Sequence, residues 1–287
     1  MNSTLKLWTQ LGLGTALAGG LLAACSGGGE AGGEAGGEGA TSQPEAAATA
    51  GEGEGGSGEG EGGGAAAGGE GEGGVAVADA AKDPVAYGIA LAVAEAHVAA
   101  AKDAYAAGKK DAAAEMFAHP VSEVLLDMDP VFTQLGVADV KPLFSAASDA
   151  ALAGKSVAEV NAAYDKIIAA LRAAAQKAPA GGTRGKVATG VIADMIERAS
   201  AMYRRLAKDA AYEPYLDGYG FSRVAASQFA ASGAAIKAEN PAAHARIAEA
   251  LALLAKAYPG AARPAKLPVE AGALSGASAK VMLAAGS

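Results

Sequence analysis

One cysteine in 287 residues excludes an internal disulfide framework and any multi-cysteine metal site. Basic residues are too few for a nucleic-acid binder: 23 Lys and Arg stand against 31 Asp and Glu, for a formal charge of −8. Without a cationic surplus there is little to displace the counterions of a phosphate backbone, so nucleic acid is excluded as a partner. Aromatic residues make up only 5% of the chain, so the few rings present stand out. Past residue 75 the chain also lacks β-branched runs and sustained two-residue alternation, which argues against strands.

What is present is unevenly distributed. Residues 26–74 hold ten Glu, no Lys or Arg, and 22 of the 41 Gly. Residues 75–287 carry 21 acids and 22 bases, a net charge of +1. The acidity of the whole chain therefore belongs to one low-complexity segment. Glycine maximises the entropy lost on ordering, and uncompensated carboxylates repel one another, so residues 26–74 are expected to stay disordered. A flexible segment of 49 residues spans roughly 40 Å on average. Its Gly-x-Gly-x-x-Gly matches, such as Gly51 to Gly56, have no strand before them and no helix after them, so a dinucleotide site is excluded.

The first 24 residues read as an export address. Lys6 precedes an apolar run over residues 11–24, which ends at Cys25. Fourteen residues fall short of the about 20 that a helix needs to cross a bilayer, and small residues lead into the cysteine. The segment Leu22-Ala23-Ala24-Cys25 resembles the lipobox of bacterial lipoproteins. That resemblance implies cleavage before Cys25, a diacylglyceryl thioether on its sulfur and an acylated amino terminus of the palmitate type. More than one acyl chain suffices for stable anchoring. Ser26 in place of Asp favours the outer membrane, facing the periplasm or the cell surface. The expected organisation is a signal peptide over 1–24, a lipidated Cys25 and tether over 25–74, and a helical domain over 75–287.

Helical punctuation recurs through that domain. Asp83-Pro84 opens a helix that Gly108 closes, and Ser156-Val-Ala-Glu159 is a capping-box pattern. Further helices are expected over 110–118, 120–128, 140–153, 156–177, 184–208, 213–238 and 241–258, with a short one at 278–285. Apolar stripes such as Val191, Met195, Ala199, Met202 and Leu206 are narrow. The expected fold class is all-α: an Ala-rich antiparallel bundle of about six to eight helices, taken as one body rather than two subdomains divided near 179–183.

Two residue clusters carry candidate chemistry. Glu115, His119, Glu123 and Asp127 recur every four residues, with His97 one helix earlier, and imidazoles with carboxylates form a ligand set for Zn, Fe or haem iron. Pro120 argues against a continuous face, because it disfavours helical dihedrals at His119. His97 lies in an apolar stripe with Ala90, Val93, Ala94, Ala101 and Ala104, where separate structural roles for the two histidines are the simpler expectation. The second cluster, Tyr212, Tyr215, Asp217, Tyr219 and Phe221 beside Glu213, could line a ligand cleft or a partner patch, or fill a wide helix joint. Gly181-Gly-Thr-Arg-Gly-Lys186 imitates a phosphate loop, but its spacing is short and Val187 stands where Ser or Thr is needed. With no nucleophile signature, no enzyme is expected. The expected function is a membrane-tethered, cofactor-free helical module that binds an envelope protein or small ligand. The alternative is a periplasmic metal- or haem-binding protein using His97, His119 and nearby carboxylates.

Overall fold

A computed structural model describes residues 77–208 and 211–286. The signal peptide, Cys25 and the tether lie outside the described residues. Among those described, a short 3-10 turn at Val77–Asp79 leads into nine α-helices, and there are no strands. They are α1 (Pro84–Ala106), α2 (Lys110–Pro120), α3 (Asp129–Leu135), α4 (Lys141–Leu152), α5 (Val157–Ala175), α6 (Arg184–Leu206), α7 (Glu213–Glu239), α8 (Pro241–Ala257) and α9 (Ala271–Ala285). The class is the all-α bundle expected from the sequence. The helices outnumber six to eight because Pro130 sits in the first turn of α3 rather than merely interrupting α2, and the tail forms a full helix from Ala271.

The caps act as their residue types require. The Asp83 carboxylate accepts from the Val85 amide at 2.8 Å, with Pro84 at the first helical position, and Gly108 turns the chain after α1 at φ 79°. Ser156 and Glu159 close a reciprocal capping box on α5. Asn240 caps α8 through its side-chain oxygen, while its amide nitrogen donates to the Ala284 carbonyl of α9. The loop that imitates a phosphate site is filled from within. The Glu239 carboxylate accepts from the amides of Gly185 and Lys186, both at 3.0 Å, and from the Thr183 hydroxyl. A helix N-terminus favours an anion, and here α7 supplies one to α6.

Helix α1 is the centre of the bundle and packs against α2, α5, α6 and α7. It is long and apolar enough to cross a membrane, but 67% of its most apolar window is buried inside the body. Its alanines at 90, 92, 94, 96, 100, 101 and 104 are all buried, so neighbouring backbones can approach closely. Gly88 and Gly190 accept the side chains of Val191 and Val85 where α1 crosses α6. Helices α6 and α7 form the most extensive pair. The described helices fall in one compact unit, with no subdomain division near 179–183.

The chain stays helical through Pro120. A π-helical turn at Val121–Leu125 follows directly, marked by the Leu126 amide donating to the Val121 carbonyl at 3.1 Å. Proline removes one amide donor from the ladder, and the widened turn lets the helix continue past it. The expected split of the stripe at His119 is therefore corrected. His119 remains in the last turn of α2, one turn before Glu123.

Candidate metal centre

Three elements converge beside α1. His97 projects from its buried stripe and is 3% exposed. Its Nδ1–H donates to the Val93 carbonyl at 2.8 Å, the preceding turn of its own helix, which leaves Nε2 pointing outward. Nε2 lies 3.1 Å from Glu123 Oε2 and 3.6 Å from Asp217 Oδ1. His119 stands between two carboxylates, with Nδ1 3.6 Å from Glu123 Oε1 and Nε2 3.7 Å from Glu213 Oε1. The two imidazoles meet edge to face, their centroids 6.1 Å apart.

Helix α7 supplies its two carboxylates from one face, since Glu213 and Asp217 are four residues apart. Their reach depends on the glycines that follow. A Cβ on Gly220 would lie 2.8 Å from the Ala96 carbonyl carbon and nearer still to its oxygen. A bare backbone there lets α7 close on α1 at the residue before His97. Gly218 likewise leaves space for Tyr258, whose hydroxyl donates to the Ala199 carbonyl at 2.8 Å. Phe221 then packs edge-on against the His97 ring at 5.7 Å.

The electrostatics of this group are strained. Burial opposes charge on His97, yet the Glu123 hydrogen bond and the Asp217 charge outweigh it and raise the imidazole to about 9. Burial pushes Glu123 up, but the His97 bond and charge prevail and hold it below the usual carboxylate range. Asp217, 8% exposed, is raised by burial to about 6. Two atoms in the cluster, His119 Nδ1 and Asp217 Oδ1, are buried and make no hydrogen bond. A buried polar atom without a partner costs about 1–3 kcal/mol, so two of them in one place call for an explanation.

The structure thus brings together His97, His119 and Glu123 from the first candidate set and Asp217 from the second. Glu115 and Asp127 are exposed and stand apart from the cluster. The helical repeat of four had grouped them with His119, but the π turn aims Glu123 sideways at α1. The aromatic cluster is not an open patch: Tyr215, Tyr219 and Phe221 are buried. The hydroxyls of Tyr212, Tyr215 and Tyr219 tie elements together. Tyr212 donates to the Ala261 carbonyl at 2.6 Å, Tyr215 to that of Gly260 at 2.7 Å, and Tyr219 to Asp103 Oδ2 at 2.7 Å. In this structure those rings fill the joint between helices. Sequence reasoning set Asp217 among aromatics and left Glu213 unassigned. The signal that could have reassigned them was the pair of glycines beside Asp217, a mark of close helix approach.

Ligand atoms of His97, His119 and Asp217 lie within 4.8 Å of one another. Donors around a tetrahedral ion with bonds of about 2.1 Å stand roughly 3.4 Å apart, so modest side-chain rotation would suffice to grip one. The four carboxylate and imidazole donors fit Zn, Fe or Mn, because oxygen and imidazole nitrogen without thiolate suit these ions. No known protein family, curated protein or solved structure matches this chain.

Proposed function

We propose that this protein is a lipid-anchored, metal-binding helical protein of the bacterial cell envelope, taking one divalent first-row ion through His97, His119, Asp217 and Glu123. The observation that carries this reading is the pair of buried, unbonded ligand atoms, His119 Nδ1 and Asp217 Oδ1, beside His97 Nε2. Each has a charged neighbour at 3.6 Å, too far for a hydrogen bond, and a fold that uses these groups only for packing has no reason to leave both short of one. An ion satisfies them together and replaces the proton that His97 Nε2 shares with Glu123. Four protein donors would fill a tetrahedral sphere, the arrangement of sites that hold an ion rather than turn over a substrate. Binding, not catalysis, is therefore the function.

The test is metal analysis and calorimetric titration of the purified full chain with Zn²⁺, Fe²⁺ and Mn²⁺. One ion per chain is expected, with His97→Ala and His119→Ala each strongly weakening its binding. A protein that binds none of the three, with unchanged melting on their addition, overturns the reading and leaves a tethered module that binds a partner protein.

The anchor rests on the lipobox resemblance at Cys25. Cys25→Ser is expected to move the protein from the membrane fraction to the soluble fraction, read by fractionation and by loss of labelled acyl chains. Retention of the variant in membranes would refute the anchor alone.

A further inference from the structure

We infer that Glu213 is a positioning residue of this centre: lying against Nε2 of His119, its carboxylate accepts that proton and turns the Nδ1 lone pair toward the ion. The inference rests on the metal reading above and adds to it a residue outside the ion's own ligands.

A histidine ligand must present a bare nitrogen, and it does so reliably when its other nitrogen donates to a fixed acceptor. His97 achieves this with its own helix, through Nδ1–H and the Val93 carbonyl at 2.8 Å. Its inner nitrogen is Nε2. His119 is used the other way round, with Nδ1 as the buried inner nitrogen. Its outer nitrogen, Nε2, is at the far end of the ring and cannot reach the carbonyls of its own turn. Only a side chain from another element can serve, and Glu213 is the carboxylate that faces it, with Oε1 3.7 Å away, one small side-chain movement short of a hydrogen bond.

The placement of Glu213 suits the role. It opens α7, whose N-cap Tyr212 gives no side-chain cap bond, and a carboxylate in the first turn is favoured by the helix dipole. Asp217 follows on the same face one turn later, next to the inner group of nitrogens. One face of α7 thus serves both sides of the centre: Asp217 lies with the ion's ligands, and Glu213 lies behind a ligand. At 47% exposed, Glu213 is free to close the remaining distance when an ion fixes His119.

The experiment is a double-mutant cycle between Glu213→Gln and His119→Ala on the full chain. Zn²⁺ affinity is read by chelator competition, with the visible spectrum of the Co²⁺-loaded protein as a second readout. Glu213→Gln is expected to weaken Zn²⁺ binding about 10–100-fold. The Co²⁺ spectrum should keep its band pattern, because no ligand has been lost, and the metal-free protein should melt as before. In the His119→Ala background the same change should cost nothing further, since the proton it manages is gone. Equal weakening in both backgrounds would show a general charge effect and overturn the inference, as would full affinity in the single variant. A changed Co²⁺ band pattern would make Glu213 a direct ligand and overturn it as well. A wild-type chain that binds neither ion instead fails the metal reading itself, a distinguishable result.

Discussion

Gly220→Ala is expected to destabilise the protein by about 3 kcal/mol, although alanine is the better helix former by roughly 1 kcal/mol. Gly220 lies inside α7, and the added methyl would meet the Ala96 carbonyl of α1, not the flexible end of a side chain. Backbone cannot rotate away, so one helix must shift off the other along an interface that includes buried Leu216, Phe221 and Val224. For a body of this size the loss lowers the melting temperature by roughly 6–12 °C. Gly276→Ala in α9 is the control. Gly276 is exposed and a Cβ there meets nothing within 4 Å, so that variant should gain about 0.5–1 kcal/mol. Opposite signs for one chemical change, measured by urea and thermal unfolding, would establish the close approach. Equal stability in the two variants would refute it. The same shift carries Asp217 away from His97, so Gly220→Ala should also lose Zn²⁺ affinity.

The features read correctly from sequence are those whose causes are local. Asp83-Pro84, the Ser156–Glu159 box and Asn240 satisfy orphan amides within a turn of themselves, so the sequence window that contains the signal also contains the partner. In the stripe Val191, Met195, Ala199, Met202 and Leu206 all but the half-buried Met202 are buried, and Asp194 holds Arg198 at 2.5 Å across one turn. Pro120 misled because its local cost is met by a π turn whose downstream side, Val124 and Leu125, is buried in the core. The centre was harder still. Its spacing rule held only for His119 and Glu123, while His97 and Asp217 are joined by the packing of α7 on α1. A repeat of four residues reports one helix face. It cannot report which face of a distant helix arrives opposite, and so Glu115 and Asp127 entered the set while Asp217 and Glu213 did not.

The glycines and the carboxylate they follow form one device. Gly220 lets α7 close on α1 and Gly218 makes room for Tyr258, and the packing buries Asp217 beside His97. Close packing removes the water that would otherwise solvate Asp217. Its second partner atom is then missing by construction, unless an ion supplies it. Natural chains keep such unfavourable arrangements where function requires them, and the thermodynamic signature is a group whose removal helps the empty protein.

Asp217→Asn is therefore expected to stabilise the metal-free protein and to abolish its metal binding. The Asp217 carboxyl is raised from 3.8 to about 6 by burial, against the opposing pull of His97, which amounts to roughly 2–3 kcal/mol at pH 7. A carboxyl with a raised folded-state pKa favours folding most below its unfolded value, and that contribution is lost as pH rises through about 6. Wild type thus carries the full penalty at pH 7–8, where asparagine, uncharged and of the same shape, carries none. The variant's advantage should shrink as pH falls through 6 and be gone below about 3, where Asp217 is protonated in both states. The other groups facing the site are His97, His119, Glu123 and Glu213, with Arg198 acting on Glu123. All five residues persist in both proteins, but the Asp217 charge helps to raise His97, so the comparison reads Asp217 together with the His97 charge it supports. Zn²⁺ should then reverse the order. At a thousand times its dissociation constant a ligand adds about 4 kcal/mol to the protein that binds it, so wild type overtakes a variant that no longer responds. Unfolding curves for both proteins, with and without Zn²⁺, at pH 5 and pH 8, contain the whole comparison. A variant less stable than wild type at pH 8 without metal would make Asp217 a structural residue and remove the reason to read the cluster as a binding site.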